Sequence, residues 1–371
     1  MASIREMTAL NKTLKITKGH CEIIETPMPH PKEGFVLVKQ HIAPNCIEHR
    51  AYKMDFIEWY ETPTTLGHEG VGEVVELGPG VTDWNIGDRV VIFQGWACGK
   101  CWVCERGLGA THCINIKGMS EIEAYNESES GGGGFNEYRL APVNMLSEIP
   151  DGMSYKHASA ANCLIGCTYG PVRDYNITNE HYCVIGGVGF IGLATLVNLK
   201  YRGAKTICIG RDKKRMDAAK RLGADVLINS EDDDWLEQVK ACTPDNRGAD
   251  FAFECSGYPY YQQKCLDAIR HYGALVLLGY AAHEGKELKW DLNTEFGVCW
   301  GHKTITAHFD VNFGHRRDLL ETLKDPWIQE QVDQLVTHTF PMSRAAEAFE
   351  LLNNRNATDE FVGKVHLIPG E

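Results

Sequence analysis

Apolar positions along the chain follow one rhythm in its first part and another from about Tyr182. In the first part, GFVLVKQHIA alternates in the manner of a strand, and GHEGVGEVVELGPG and IGDRVVIF read as short strands joined by glycine turns. Together they predict a small β-barrel. Ahead of them the first ~30 residues carry the Pro-rich stretch TPMPHPKEG, and behind them SEIEAYNESESGGGG, ending at Gly134, has neither apolar periodicity nor a core-forming cluster. That stretch is expected to be a mobile loop. From Tyr182 strands and helices alternate: HYCVIGGVGFIGLATLVNLKYRGA reads as strand, glycine turn and helix, and TICIGRDKKRMDAAKRLGADVLIN repeats the pattern. ADFAFECSG and GALVLLGY are further apolar strands. Such alternation requires parallel strands with crossover helices, a doubly wound sheet. TFPMSRAAEAFELLNN predicts a helix and GKVHLIP a closing strand, a pattern that does not by itself fix a return to the first domain; there is no internal repeat.

Composition narrows the partners. With 371 residues the chain has room for two domains, and a formal net charge of −13 argues against nucleic acid or an anionic membrane, whose binders present basic patches. No apolar run spans a bilayer, and the start MASIREMTAL lacks a charged-then-apolar signal pattern. The 14 cysteines therefore predict reduced thiols and metal ligands in a cytoplasmic protein.

Four of those cysteines, Cys98, Cys101, Cys104 and Cys113, read C-x2-C-x2-C-x8-C. That spacing lets four thiolates converge on one tetrahedral ion, for which zinc is the natural choice. A closed four-cysteine set leaves no coordination position for a substrate, so this zinc is expected to be structural.

Gly187, Val188, Gly189 and Gly192 stand in a G-x-G-x-x-G run directly after the strand YCVIG and at the start of a helix. The motif in that context predicts dinucleotide binding, with the pyrophosphate on the helix N-terminus. The next strand ends at Gly210 and runs into Arg211, Asp212, Lys213, Lys214 and Arg215. A small residue followed by basic ones favours NADP(H) over NAD(H), with Gly210, Arg211 and Arg215 around the 2′-phosphate, although Asp212 is within reach of a ribose. Ser256, in Glu254-Cys255-Ser256-Gly257, and Leu278 and Gly279, in Leu278-Gly279-Tyr280, end later strands and are expected to line the cofactor cleft. Ahead of the sheet, Cys46 in NCIEHR, His68 in GHEGVG and Cys163 in SAANCLIGCTYG have the ligand types of an open, catalytic zinc.

In order along the chain, GHEGVGEVVELGPGVTDWNIGDRVV, CGKCWVCERG, VIGGVGFIG and GKVHLIP resemble the zinc-dependent medium-chain dehydrogenase/reductase family, the alcohol and polyol dehydrogenases, over roughly Gly34 to Ile368. The resemblance implies an α/β chain: a discontinuous GroES-like β-barrel catalytic domain around a Rossmann doubly wound parallel-sheet domain. The expected boundaries are 1–164 for the first part of the catalytic domain, with the structural zinc lobe at about 95–115. The Rossmann domain then covers 165–305, and 306–371 returns to the catalytic domain. It further implies hydride transfer between an alcohol and a nicotinamide in the cleft between the domains, two zinc ions per chain, and a homodimer or homotetramer.

By position, Cys46 and His68 resemble the first two catalytic ligands, and Glu69 the acidic residue that enters or leaves the zinc shell. Cys163 fits the third ligand, with Cys167 as competitor, and Thr168 then falls near the nicotinamide. One departure stands out. The family pattern C-G-[ST]-D-x-H is replaced by Cys46-Ile47-Glu48-His49-Arg50, which has no hydroxyl. If one residue has been lost, Glu48 takes the place of the aspartate that orients the ligand histidine and Arg50 that of the relay histidine. Otherwise Glu48 replaces the hydroxyl and accepts the substrate proton itself. Glu48, His49 and Arg50 are thus the catalytic candidates, and their charge favours a secondary alcohol in a polyol, sugar or cyclitol. Tyr52, Phe56, Trp59 and Trp96 are candidate walls of an aromatic pocket. The alternatives are an NAD(P)-binding zinc protein with a sensing role and no turnover, and a zinc-independent quinone or enoyl reductase.

Overall fold

The computed structural model describes residues 10–53, 64–129, 132–279 and 297–371. Phe56, Trp59 and Tyr280 lie outside the described residues. The chain divides into two compact units, one made of Met1–Asn162 with Val311–Glu371, the other of Cys163–Asp310.

The first unit begins with an antiparallel hairpin, β1 (Leu10–Thr17) and β2 (His20–Pro27), turned at Gly19 with φ 70°. A third short strand, β4 (Thr64–Thr65), pairs with β1 and follows β3 (Phe35–Asn45) in the chain. Nothing in the Pro-rich pattern signals the hairpin. β3 is the centre of the unit. It pairs antiparallel with β5 (Gly70–Leu77) on one side, which continues into β6 (Arg89–Ile92). β7 (Tyr138–Pro142) also pairs with β3, and β8 (Leu146–Glu148) with β6. Two register shifts in the β3–β5 pairing, at Leu37/Val38 and Gln40/Ile42, bend the sheet as a barrel wall requires. The strand alternates less than its sequence suggests: Phe35, Val36, Leu37 and Val38 are all buried, because both faces of β3 are covered.

The stretch expected to be a loop contains a helix, Met119–Asn126. Its start is held by the Glu121 carboxylate, which accepts the Gly118 N–H at 2.9 Å. Ile122 is buried in the cluster with Phe35 and Leu140, and the Asn126 amide oxygen accepts the Lys32 N–H at 2.8 Å. Met119, Ile122 and Tyr125 supply its apolar contacts over about two turns, too short a run for a search for periodicity to find.

The second unit is a six-stranded parallel sheet in the order β11-β10-β9-β12-β13-β14. Its strands are β9 (Tyr182–Gly186), β10 (Lys205–Gly210), β11 (Val226–Asn229), β12 (Ala249–Glu254), β13 (Ile269–Leu277) and β14 (Thr304–Ala307). The order reverses direction at β9, which is the doubly wound arrangement. The helix Phe190–Tyr201 is buried from Gly192 to Leu199 on every face, matching its nearly uninterrupted apolar sequence.

The chain then returns to the first unit. Residues of TFPMSRAAEAFELLNN divide between β15 (Val336–Pro341) and the helix Ala345–Asn353, and β16 (Lys364–Ile368) follows. β16 pairs parallel with β15 and antiparallel with β3, so the last strand of the chain sits beside the central one. Phe135 from the first stretch meets Phe349 from the last at 6.1 Å between ring centroids, and both are fully buried. Each such phenylalanine contributes up to about 3 kcal/mol of burial.

Candidate active site and metal centres

The four cysteines of the short motif converge. Cys98, Cys101, Cys104 and Cys113 have their sulfurs within 4.8 Å of one another, with Cys101 3.4 Å from Cys104 and 3.8 Å from Cys113. A zinc tetrahedron with arms of about 2.3 Å has edges of about 3.8 Å, so the spacing fits a closed zinc site. The electrostatics agree. The N–H of Lys100 and the Asn115 amide bring the Cys98 thiol down to about 6, whereas burial and the Cys101 neighbour push Cys104 up to about 12. Four thiolates at this spacing need a cation among them. The lobe is stitched to the returning segment by Gly314 N–H donating to the Gly107 carbonyl at 2.9 Å and by the Gly109–Asn312 bridge.

A second cluster forms where strand ends meet. Cys46 follows the last residue of β3, His68 and Glu69 immediately precede β5, and Lys364 opens β16. One ligand atom each from Cys46, His68, Glu69 and Cys163 lies within 4.8 Å of the others. Cys163 is joined directly to Asn162, where that stretch of the first unit ends. Cys167, its competitor, instead places its sulfhydryl on the Cys163 carbonyl at 3.2 Å. Two thiols, an imidazole and a carboxylate form the soft and borderline donor set that suits zinc.

Glu48 explains how this cluster is oriented. It is buried, and its carboxylate accepts the His68 Nδ1–H at 2.6 Å and the Cys46 N–H at 2.9 Å. Burial alone would raise the Glu48 carboxyl, yet the His68 contact holds it at about 2. With its proton fixed on Nδ1, the imidazole presents Nε2 to the cluster, 3.8 Å from Glu69. Of the two roles open in the sequence, this geometry matches the aspartate that orients the histidine. The carboxylate is thereby committed to the His68 ring and the Cys46 N–H.

His49 is also buried. Its Nδ1 faces Asn45 Oδ1 at 3.2 Å, its carbonyl accepts from Asn353, and burial with the nearby Arg355 lowers the ring to about 4. The ring is packed in the interior against Asn45. Arg50 is half-buried in the same short helix, His49–Lys53. Glu69 and Lys364 form a buried ion pair at 2.5 Å. Sequence reasoning missed Lys364: the only signal was a lysine at the head of GKVHLIP, without the partner 295 positions away. Tyr52 lines a cavity with Lys18, Lys53, Glu350, Asn353 and Asn354, whose walls include none of the four cluster residues. Tyr52 packs on Phe349, and Trp96 packs on Phe35 and Tyr125 with Lys117 over its ring.

The glycine turn after β9 has the shape of a phosphate cradle. A Cβ at Gly187, where φ is 88°, would meet Ser256 Cβ at 2.8 Å, and one at Gly192 would collide with the Gly187 carbonyl. At Gly189 a Cβ would enter open space at the N-cap of the helix Phe190–Tyr201, which leaves the free N–H groups accessible to a pyrophosphate. Val188 is buried beside them. The Glu254 carboxylate gathers the Ser256 N–H, the Ser256 hydroxyl and the Gly257 N–H at 2.6–2.9 Å, while Leu278 and Gly279 donate to the Glu254 carbonyl. Thr168, expected beside the nicotinamide, is fully buried instead. Its hydroxyl donates to Ile165 and accepts from Asn198 at 2.7 Å, inside the packing of two helices.

Gly210 also differs from expectation. The space its missing side chain leaves is not open to a phosphate, because a Cβ there would meet Val188 Cγ2 at 2.5 Å and Met216 Sδ at 2.9 Å. Glycine here means that the acidic side chain that receives ribose hydroxyls in many NAD sites is absent, and one could enter only by moving Val188 and Met216. Asp212 is committed as the N-cap of Lys213–Arg221, accepting the Arg215 N–H at 3.0 Å. Arg211 pairs with Glu231 at 3.0 Å.

Comparison with known proteins matches this architecture. The pattern of the alcohol dehydrogenase GroES-like domain matches residues 32–151, and that of the zinc-binding dehydrogenase matches 191–320. The L-threonine 3-dehydrogenase of Pyrococcus furiosus is 30% identical over 360 residues, 94% of this chain and 95% of that protein. The sorbitol dehydrogenase of Halalkalibacterium halodurans is 29% identical over 362 residues, covering 95% and 97%. Among solved structures, the alcohol dehydrogenase from Thermus sp. ATN1 superposes with a TM-score of 0.82 at 22% identity, covering 96% of this chain and 99% of that one. Among the described residues no helix is long and apolar enough to cross a membrane. The chain belongs to the zinc-dependent medium-chain dehydrogenases, the alcohol and polyol dehydrogenases.

Proposed function

We propose that this alcohol oxidoreductase interconverts a secondary alcohol of a polyol, sugar or cyclitol and its ketone, using NADP(H) in preference to NAD(H) and two zinc ions per chain. The reading is carried by the convergence of Cys46, His68, Glu69 and Cys163, with Glu48 on the far nitrogen of the histidine. Cys46, His68 and Cys163 would hold the catalytic ion, and Cys98, Cys101, Cys104 and Cys113 the structural one. When bound, the catalytic zinc supplies a Lewis acid for the alcohol or carbonyl oxygen, and the nicotinamide supplies hydride exchange.

The chain's own residues prepare that chemistry. Glu48 fixes the His68 tautomer and is a positioning residue. Lys364 neutralises Glu69, so a second carboxylate can stay in the interior beside the thiols. Gly187, Gly189 and Gly192 open the helix N-terminus to the pyrophosphate, and Glu254 holds the Ser256–Gly257 turn against Gly187. For the phosphate-bearing cofactor, the support is the closed position at Gly210, the capping role of Asp212 and the arginine between them. For the substrate class, the support is that the two relatives are named for sorbitol, a polyol with secondary hydroxyls, and for L-threonine, whose hydroxyl is secondary. A cytoplasmic homodimer or homotetramer belongs to the same reading and rests on the family.

The test is metal content in the wild type, Cys46→Ser and Cys104→Ser, with NADPH- and NADH-linked turnover on a panel of polyols and sugars. Two zinc ions in the wild type and one in Cys46→Ser, with turnover lost, support the assignment. Equal metal in wild type and Cys46→Ser, or turnover only on primary alcohols, would sink it.

A further inference from the structure

We propose that Glu231 sets the cofactor preference by holding Arg211, so that a 2′-phosphate must displace this carboxylate to reach the guanidinium. The inference rests on the NADP(H) reading above and adds the residue that limits it. Strands β10 and β11 run parallel with Gly210 opposite Asn229, so the residues just past those two ends are neighbours. Arg211 is the first past β10 and Glu231 the second past β11, and their side chains pair at 3.0 Å. Both side chains are more than half exposed.

The carboxylate is placed by its backbone. Ser230 is buried, and its N–H donates to the Gly210 carbonyl at 3.0 Å. Tyr260 donates its hydroxyl to the Ser230 carbonyl at 2.6 Å and Tyr261 to the Ser230 hydroxyl at 3.0 Å. The Glu231 N–H is held by Asn229 Oδ1 at 3.2 Å. Glu231 is thus carried on a pinned turn at the strand ends where a doubly wound sheet receives the adenosine half of a dinucleotide.

Arg211 is the first cation past β10 and lies beside Glu231; Asp212 caps its helix, and Lys213 is paired with Asp217 at 2.5 Å. A phosphate arriving at Arg211 meets a bidentate donor, but also the Glu231 charge that must move away. An exposed pair of this kind holds by a factor of about two to five, which is the size of the effect expected.

The experiment is calorimetric binding of adenosine 2′,5′-bisphosphate and 5′-AMP to the full chain, which needs neither substrate nor turnover. Glu231→Gln should raise the preference for the bisphosphate about two- to fivefold, leaving 5′-AMP unchanged. Arg211→Ala should abolish the preference, and adding Glu231→Gln to it should then have no effect. Glu237→Gln removes a negative charge from the helix Trp235–Ala241, which follows β11, and should leave the ratio as it is. An unchanged ratio in Glu231→Gln while Arg211→Ala lowers it would overturn the Glu231 proposal alone. An equal rise in Glu237→Gln would also overturn it, by showing a general charge effect. An unchanged ratio in Arg211→Ala removes the arginine from phosphate recognition, and both the proposal and the NADP(H) reading fail.

Discussion

Glu48 and Lys364 act on the catalytic cluster through other residues, and their substitutions should read differently. Glu48 holds the ring of His68 by a single short hydrogen bond. Removing such a partner costs about 10- to 100-fold in metal affinity. Glu48→Ala should therefore lose zinc from the Cys46 site to a competing chelator at 10- to 100-fold lower chelator strength, with the four-cysteine site unaffected. Glu48→Gln keeps an acceptor oxygen and should lose less. Lys364 is a matter of folding energy. Its ammonium and the Glu69 carboxylate are both buried, so Lys364→Ala leaves a carboxylate without its counter-charge. Breaking one side of such a pair costs about 3–5 kcal/mol, whereas removing both partners costs far less. Urea unfolding should show that loss in Lys364→Ala and recover most of it in Lys364→Met with Glu69→Gln. A double variant no more stable than the single would refute the buried-charge explanation.

At the scale of the element, β16 carries a pH dependence that follows from one histidine. His366 is fully buried on that strand, and burial with Lys364 nearby lowers its imidazole to about 3. Ser159 donates its hydroxyl to the Lys156 carbonyl at 2.7 Å and so accepts from His366 Nε2–H, which suits the neutral ring. The folded chain therefore binds fewer protons than the unfolded chain between about pH 6.5 and pH 3. Stability rises with pH across that window, and the contribution from His366 falls by about 2 kcal/mol between pH 7 and pH 5. Unfolding midpoints of the wild type and His366→Gln at the two pH values should show the shallower slope in the variant; parallel slopes would remove the histidine from the account. The elements also show what a sequence discloses. β9 and the helix after it were legible because a dinucleotide turn ties its glycines to local sterics. The hairpin β1–β2 and the helix Met119–Asn126 were not, since their burial depends on Phe135 and Phe35, distant in the chain. The same limit applies to the site. Cys46, His68 and Cys163 could be named from residue type and family pattern, but the buried Lys364 and the commitment of Glu48 to His68 depend on which strand ends meet.

For the whole molecule, the order of the chain predicts unequal independence of its two units. The unit Cys163–Asp310 is continuous, and among the described residues its strands β9 to β14 pair only among themselves. Its core of Val184, Ile207, Ile209, Ala252 and Leu275 lies wholly within that stretch. The other unit is assembled from two distant stretches. Leu14, Ile16, Ala43, Leu66 and Phe135 pack against Met342, Ala348, Phe349, Leu352, Val365 and Leu367 in one cluster, and β16 fills the edge of β3. Without the last stretch, β3 exposes an unpaired edge and that cluster loses more than half of its members. A fragment spanning 163–310 should therefore unfold cooperatively by circular dichroism and keep its affinity for adenosine 2′,5′-bisphosphate. The fragment 1–162 should lack a cooperative transition and recover one when residues 311–371 are co-expressed with it. Cooperative unfolding of 1–162 alone would show that the barrel strands β1 to β8 carry enough core by themselves. The terminal strand would then be an addition to a finished domain rather than part of what makes it fold.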